Sequence, residues 1–321
     1  MKHPEEIKEI AISTITDEAE AVKGLIDSIN DDFVKVVELI YSSPGRVIAT
    51  GIGKSAIIAS KIVATLNSTG TPAIFMHAAD AVHGDLGTIR KDDIIICLSK
   101  SGNTPEIKVL APLLKLAGNT LIAMVGNTDS YLAKQADYIL DVSVKAEACA
   151  NNLAPTSSTT VQLVMGDALA VAVLECRGFT ISDFARYHPG GVLGKQLYLR
   201  VQDIYINNEV PKVQSHDNVR AVIVEITTKR LGATAVLENN TLCGIITDGD
   251  IRRMLHRNAP IDQLTASDIM SVQPKTIESD ALVSDALNLM RQSNITQLLV
   301  LNKGVYAGVI HLHDILKEGI I

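Results

Sequence analysis

Apolar residues recur at helical spacing from the start of the chain: Ile7, Ile10, Ile15, Ala19, Val22, Leu25, Ile26 and Ile29, then Phe33, Val36, Val37 and Ile40. Residues three or four apart share a helix face, so 5–42 predicts N-terminal helices packed on the domain C-terminal to them. Pro44-Gly45 breaks the pattern. Short apolar runs then alternate with helical stretches. Strands are predicted at 46–50, 73–76, 94–98, 121–125 and 138–142, and helices at 56–67, 105–117, 130–135 and 157–176. Five strands with helices between them predict a doubly wound, parallel α/β sheet. Ligands of such sheets bind outside the carboxyl ends of the strands, which singles out the loops after 50, 76, 98 and 142.

The pattern changes near residue 200, where a weak repeat begins. Asp203-Ile204 matches Asp268-Ile269 at an offset of 65, and the 244–250 segment matches 308–314 at an offset of 64. Each copy predicts a helix (221–229; 282–292), a strand (234–237; 297–301), a turn, a second strand and a final helix. The expected domains are therefore helices over 1–42, a sheet domain over 43–200, and α+β repeats over 201–260 and 261–321. The repeat junction is expected near 258–264, at Asn258-Ala259-Pro260.

Composition narrows the function classes. The chain has 321 residues, 47% hydrophobic, with no Trp and only 3% aromatic, so the core must be aliphatic. Net charge is −7 and neither half is basic, which gives a nucleic-acid face no electrostatic support. Cys97, Cys149, Cys176 and Cys243 have no C-x-x-C spacing, and three of them sit in apolar runs that read as buried thiols. The start of the chain lacks an apolar signal core. The most apolar stretch, 161–176, carries Asp167 and reads as too short to span a bilayer. A cytoplasmic protein without membrane or nucleic-acid partners is expected.

Two loops offer anion sites. Gly51-Ile-Gly-Lys-Ser55 follows the first strand and is not a Walker A loop, because position 48 is Ile where that pattern needs Gly. It fits a loose dinucleotide fingerprint, with only Asp80 on offer as a ribose ligand. What remains is a tight turn presenting N–H groups, Ser55 and Lys54 at a helix N-terminus, where a cation is unfavourable unless an anion compensates it. Ser99-Lys-Ser-Gly-Asn-Thr104 follows the third strand. Ser99, Ser101, Gly102 and Thr104 make a small-residue cradle suited to a phosphate monoester, whereas an ordinary N-cap needs one hydroxyl. The 156–160 segment repeats the theme, and helix capping explains it equally well. Ionisable groups gather on the other loops: His77 and His83 in "HAADAVHGDLG", Glu106, Glu147 and His188. Six-residue spacing of His77 and His83 is not the helical zinc pair, and no cysteine lies nearby to complete a structural site.

The segments "GIGKSA", "STGTPA", "HAADAVHGDLG", "SKSGNTPEI", "EACANNLAPTSST" and "HPGGVLGKQL", followed by repeats carrying "GIITDGDIRR", resemble the bacterial D-arabinose 5-phosphate isomerases. These are sugar-isomerase (SIS) proteins with a C-terminal pair of CBS domains. The resemblance implies interconversion of D-arabinose 5-phosphate and D-ribulose 5-phosphate, a step supplying Kdo for lipopolysaccharide. It implies no required cofactor, a homotetramer, and functional residues at Lys54, His83, Glu106, Glu147 and His188. It places His77 at a substrate- and metal-responsive position, where zinc would inhibit, and Gly70 and Thr71 on the sugar site. The sequence departs from the family at Ala150, at Asp80 and at Lys100, which adds a charge to the Ser loop.

Isomerisation moves a proton between adjacent carbons through an enediol and needs a base with a pKa near working pH. His188 is the expected base, Glu147 or Glu106 the proton shuttle, and His83 the group that orients O1 and O2. Lys54 stabilises the enediolate or holds the phosphate. A desolvated Glu serves if its pKa rises. In the repeats, Asp250 with Thr247 is a candidate site for a nucleotide or nucleotide-sugar regulator, with helix N-capping as the alternative. A non-catalytic sugar-phosphate sensor and another SIS isomerase are the rival readings.

Overall fold

A computed structural model describes residues 2–256 and 260–320. The expected repeat junction at Asn258-Ala259-Pro260 thus lies partly outside the described residues. Contacts divide the chain into two compact units, Met1–Tyr187 and His188–Ile321, so 188–200, expected in the sheet domain, clusters with the second unit.

The first unit opens with α1 (Pro4–Gly24) and α2 (Asp31–Ser42), then β1 (Val47–Gly51), α3 (Lys54–Ser68) and β2 (Ala73–His77). After α4 (Ala78–Ala81) come β3 (Ile94–Ser99), α5 (Pro105–Leu116), β4 (Thr120–Val125), α6 (Tyr131–Gln135) and β5 (Tyr138–Asp141). It closes with α7 (Ser157–Cys176) and α8 (Ile181–Tyr187).

All five strands are parallel, in the order β2-β1-β3-β4-β5. The Ile/Val/Leu runs of the inner strands β1, β3 and β4 are buried on both faces, as a sheet covered by helices on each side requires. Alternation divides the side chains. Val47, Ala49, Ile94, Ile96, Leu98, Ile122 and Met124 face α2, α3 and α7. Ile48, Ile95, Cys97, Leu121, Ala123 and Val125 face α4, α5 and α6. At the amino end of the sheet, the buried Asp93 carboxylate accepts from the Arg46 guanidinium at 2.6 Å and from the Arg46 and Arg90 N–H groups. These bonds tie the entry of β1 to that of β3.

The N-terminal pattern is interrupted, because Asn30 caps α2 by accepting from the N–H groups of Asp32 and Phe33. Phe33, Val36, Val37 and Ile40 are buried as expected, but Ile7, Ile10, Ile12 and Ile15 of α1 are exposed. α7 spans 20 residues and is long and apolar enough to cross a bilayer, correcting the expectation that this stretch is too short. It packs instead against α1, α2 and α3 as a core helix. Of the cysteines only Cys97 is fully buried, while Cys149 and Cys243 are half-buried and Cys176, at the end of α7, is exposed.

The second unit begins with α9 (Val192–Tyr198) and α10 (Val201–Tyr205). One repeat holds β6 (Lys212–Gln214), α11 (Val219–Lys229), β7 (Ala233–Glu238), β8 (Thr241–Thr247) and α12 (Asp248–His256). After α13 (Ala266–Ile269) and β9 (Ser271–Val272), the other holds β10 (Thr276–Glu278), α14 (Val283–Ser293), β11 (Gln297–Asn302), β12 (Val305–His311) and α15 (Leu312–Lys317). Two sheets result, β6-β7-β8-β9 and β10-β11-β12. They bury Ala235, Leu237, Leu299 and Val309 in one cluster. The lead-in segments are exchanged. Val201 and Ile204 enter the core of the second repeat, whereas Ala266, Ile269 and Met270 enter that of the first. Tyr205 lies over Gly308 as Met270 lies over Gly244, so a Cβ at either glycine would stand under 3 Å from the covering side chain.

Candidate active site

The sheet reverses its order of winding between β1 and β3, which is where a ligand crevice belongs. A cavity of about 270 Å³ lies there. Ile52, Lys54 and Ser55 line it from the end of β1, and Ser99, Lys100, Ser101 and Thr104 from the end of β3. Pro155, Ser158 and Thr159 close it from the start of α7. Gly53 (φ 59°) makes the turn that sets Lys54 at the first position of α3, a backbone conformation a side chain would strain. Lys54 is exposed and carries a positive charge at the positive end of a helix. An anion in the cavity removes that conflict.

The Ser loop folds on its own hydroxyls. Ser99 Oγ accepts from the Gly102 N–H at 3.0 Å, and Ser101 Oγ from that of Asn103 at 3.2 Å. Thr104 stands at the N-cap of α5 without making a cap bond, and its buried Oγ1 has no partner.

Glu147 is the most heavily bonded acid of the unit. Its side chain is fully buried. Oε1 accepts from Lys100 Nζ at 2.6 Å and from the Ser158 hydroxyl. Oε2 accepts from the N–H groups of Thr156 (2.8 Å) and Ser158 (3.1 Å) and from the Thr156 hydroxyl. The carboxylate thereby caps α7, whose N-cap residue Thr156 makes no side-chain cap bond. Burial alone would push the carboxyl up. Lys100, the Ser158 hydroxyl and the two N–H groups outweigh it and hold the pKa at about 2. Glu147 is therefore a fixed negative charge at neutral pH. This environment is the opposite of the raised pKa that the proton-shuttle reading of Glu147 supposes.

The remaining candidates are spread over both units. Glu106 is in the first turn of α5, half-buried, and His83 is exposed on the loop after α4; both stand at the carboxyl edge of the sheet, outside the cavity wall. His77 ends β2, with Nδ1 3.7 Å from Asp80 Oδ2. Among the described residues, no three His, Cys, Asp or Glu side chains gather as a metal site. Gly102 (φ 61°) holds the Ser loop against α6, its carbonyl accepting from the Leu132 N–H at 3.0 Å. Gly70 and Thr71, expected on the sugar site, precede β2 and so lie at the amino end of the sheet, a strand's length from the cavity. There Gly70 packs under Phe179, and its carbonyl accepts from Arg177. His188 heads the second compact unit, its carbonyl accepting from the Gly191 N–H at 3.0 Å.

In the repeats, Asp250 accepts from the Thr247 N–H and hydroxyl on Oδ2, and from Arg253 and Ser271 on Oδ1. Burial would raise its pKa, but these donors lower it. A carboxylate has about four acceptor sites, and all are taken, which favours the capping reading over a free ribose acceptor. Sequence reasoning leaves Lys100 out of the site and leaves 156–160 open between a second hydroxyl cradle and helix capping; Ser158 and Thr159 line the cavity. The only signal for Lys100 was its oddity in a small-residue loop.

A parallel sheet with a hydroxyl-lined, lysine-bearing crevice at its switch point, joined to an internally repeated α+β unit, defines an SIS protein with paired CBS domains. The SIS domain family matches residues 39–172 and the CBS domain family residues 201–257 and 266–320. The chain is 48% identical to arabinose 5-phosphate isomerase KdsD of Pseudomonas aeruginosa, over 96% of this chain and 95% of that protein. It is 43% identical to KdsD of Escherichia coli K12, over 95% and 93%. A solved structure of the E. coli CFT073 protein c3406 in complex with arabinose 5-phosphate is 42% identical, covering 59% of this chain and 100% of that one, with a TM-score of 0.57. The chain belongs to the arabinose 5-phosphate isomerase family.

Proposed function

We propose that this protein interconverts D-arabinose 5-phosphate and D-ribulose 5-phosphate through an enediol intermediate, supplying Kdo synthesis in the cytoplasm. The observation that carries the reading is the cavity at the β1/β3 switch point, lined by Lys54, Lys100 and the hydroxyls of Ser55, Ser99, Ser101, Thr104, Ser158 and Thr159. Phosphate sits in the Ser99–Thr104 loop, held by N–H groups and hydroxyls of that loop. Lys54 stands by the sugar oxygens, where an ammonium stabilises negative charge developing on the enediolate. His83 orients O1 and O2. His188 removes the C2 proton, histidine being the side chain most often used as a general base. Glu106 carries the hydroxyl proton. Glu147 keeps its charge and positions its neighbours.

An enediol route with protein acids and bases requires no metal. Purified protein treated with a chelator should convert arabinose 5-phosphate to ribulose 5-phosphate at an undiminished rate, and loss of that activity would contradict the reading. Zinc inhibits in this account by occupying His77, so His77→Ala should raise the zinc concentration needed for inhibition. His188→Ala should lower kcat by at least about a hundredfold, the usual contribution of a positioned base, with its thermal midpoint near that of the parent. Near-normal turnover would remove His188 from the role.

The exposed isoleucines of α1 support assembly as a homotetramer, testable by light scattering. The second unit's cavity beside Asp250, lined by Arg253, Met270 and Ser271, supports a regulatory nucleotide or nucleotide-sugar site. Calorimetry on the full chain checks that ligand, and absence of heat would dismiss it.

A further inference from the structure

We infer that Lys100 is a phosphate-binding cation of this site and that Glu147 is the residue that positions it. The inference rests on the reading of the Ser99–Thr104 loop as a phosphate cradle. A phosphate monoester carries close to two negative charges at neutral pH. The cavity holds two ammonium groups, Lys54 on the β1 side and Lys100 within the Ser loop itself. Lys54 is the cation available to the reacting oxygens, because it stands on the opposite loop from the cradle. Lys100 is then the one placed to meet the phosphate.

A lysine on a solvent-facing loop is ordinarily a mobile point charge. Lys100 differs because its Nζ is fixed 2.6 Å from a carboxylate that is itself fully buried and held by four further hydrogen bonds. An ammonium has three donors, and Glu147 occupies one of them. The Lys100 side chain remains 46% exposed, so its other donors are open. Its charge is thus oriented in advance, which lowers the ordering cost of binding the anion. Ser158 belongs to the same arrangement, lining the cavity while its hydroxyl and N–H hold Glu147.

The test compares Lys100→Gln and Lys100→Arg with the parent, by steady-state kinetics and by the rise in thermal midpoint with inorganic phosphate. Hydrogen bonds to charged groups contribute about 1.5–3 kcal/mol, which is roughly a ten- to hundredfold change in affinity. Lys100→Gln should raise KM for the sugar phosphate by about that factor, with kcat changed by less than about threefold, and should lose most of the phosphate-dependent stabilisation. Lys100→Arg, which keeps the charge, should stay within about threefold of the parent KM and keep that stabilisation. A Lys100→Gln variant with lower intrinsic stability but unchanged KM and full phosphate response would overturn the inference, leaving Lys100 only as the partner of Glu147. A Lys100→Arg variant as impaired as Lys100→Gln would overturn it too. The phosphate response is read without turnover. A parent protein that is stabilised by phosphate but isomerises no pentose phosphate would therefore refute the proposed reaction while still testing Lys100, and a parent without any phosphate response would refute the cradle.

Discussion

Glu147 shows how far a residue's chemistry depends on what the fold brings to it. On sequence it is an acid after the last strand, eligible to shuttle protons if burial raises its pKa. The fold supplies Lys100 from 47 positions away and two donor residues from the start of α7. Their combined effect exceeds the desolvation cost, and the pKa falls to about 2. A folded-state pKa below the unfolded value of 4.5 stabilises the protein above pH 4.5, and that stabilisation disappears as pH falls toward 2. At about 1.4 kcal/mol per pKa unit, the contribution at pH 7 is on the order of 3 kcal/mol. Urea titration at pH 7 should therefore show Glu147→Gln with an unfolding free energy lower by that order, with the gap to the parent closing below pH 4. A gap independent of pH would mean that Glu147 acts by packing alone. Lys54, Ser99, Ser101 and Thr104, which line one cavity, were legible as candidates, because a glycine turn or a run of hydroxyls after a strand stands out in sequence. Lys100 was not, because its role depends on a partner remote in sequence.

The strands were legible because Ile/Val/Leu runs of five or six residues have one stable use in a parallel sheet, burial on both faces. Short helices such as α4, α9 and α10 were not, since four to seven residues are too few to show a period of 3.6. The exchanged lead-in segments of the repeats were also beyond reach. An offset of 64 or 65 says that two segments are alike, but not which core each enters. Element geometry also fixes the Ser loop. Gly102 adopts φ 61°, and a Cβ there would stand 2.0 Å from Ser130 Oγ and 2.5 Å from Ser130 Cβ, at the cap of α6. Gly102→Ala must therefore move the cradle or the α6 turn. It should lower stability by about 1–3 kcal/mol and raise KM for the sugar phosphate, checked by urea titration and initial rates. An unchanged KM would separate the loop from phosphate binding.

At the scale of the molecule, an aliphatic core and a net charge of −7 constrain class more than chemistry. They fit a small-molecule enzyme and give no support to nucleic-acid binding. The resemblance of six motifs to the isomerase family carried the function, and relatives 43–48% identical along nearly the whole chain support it. Gly70 and Thr71 precede β2 and do not line the switch-point cavity within one chain, a placement that motif similarity does not give. The central claim is that protein side chains transfer a carbon-bound proton through an enediol. Proton NMR of arabinose 5-phosphate with the protein in D₂O, with chelator present, tests it most directly. Ribulose 5-phosphate should appear, with solvent deuterium entering at the carbons that exchange the proton. Ketose formed with no deuterium at any stage, or no ketose at all, would contradict it.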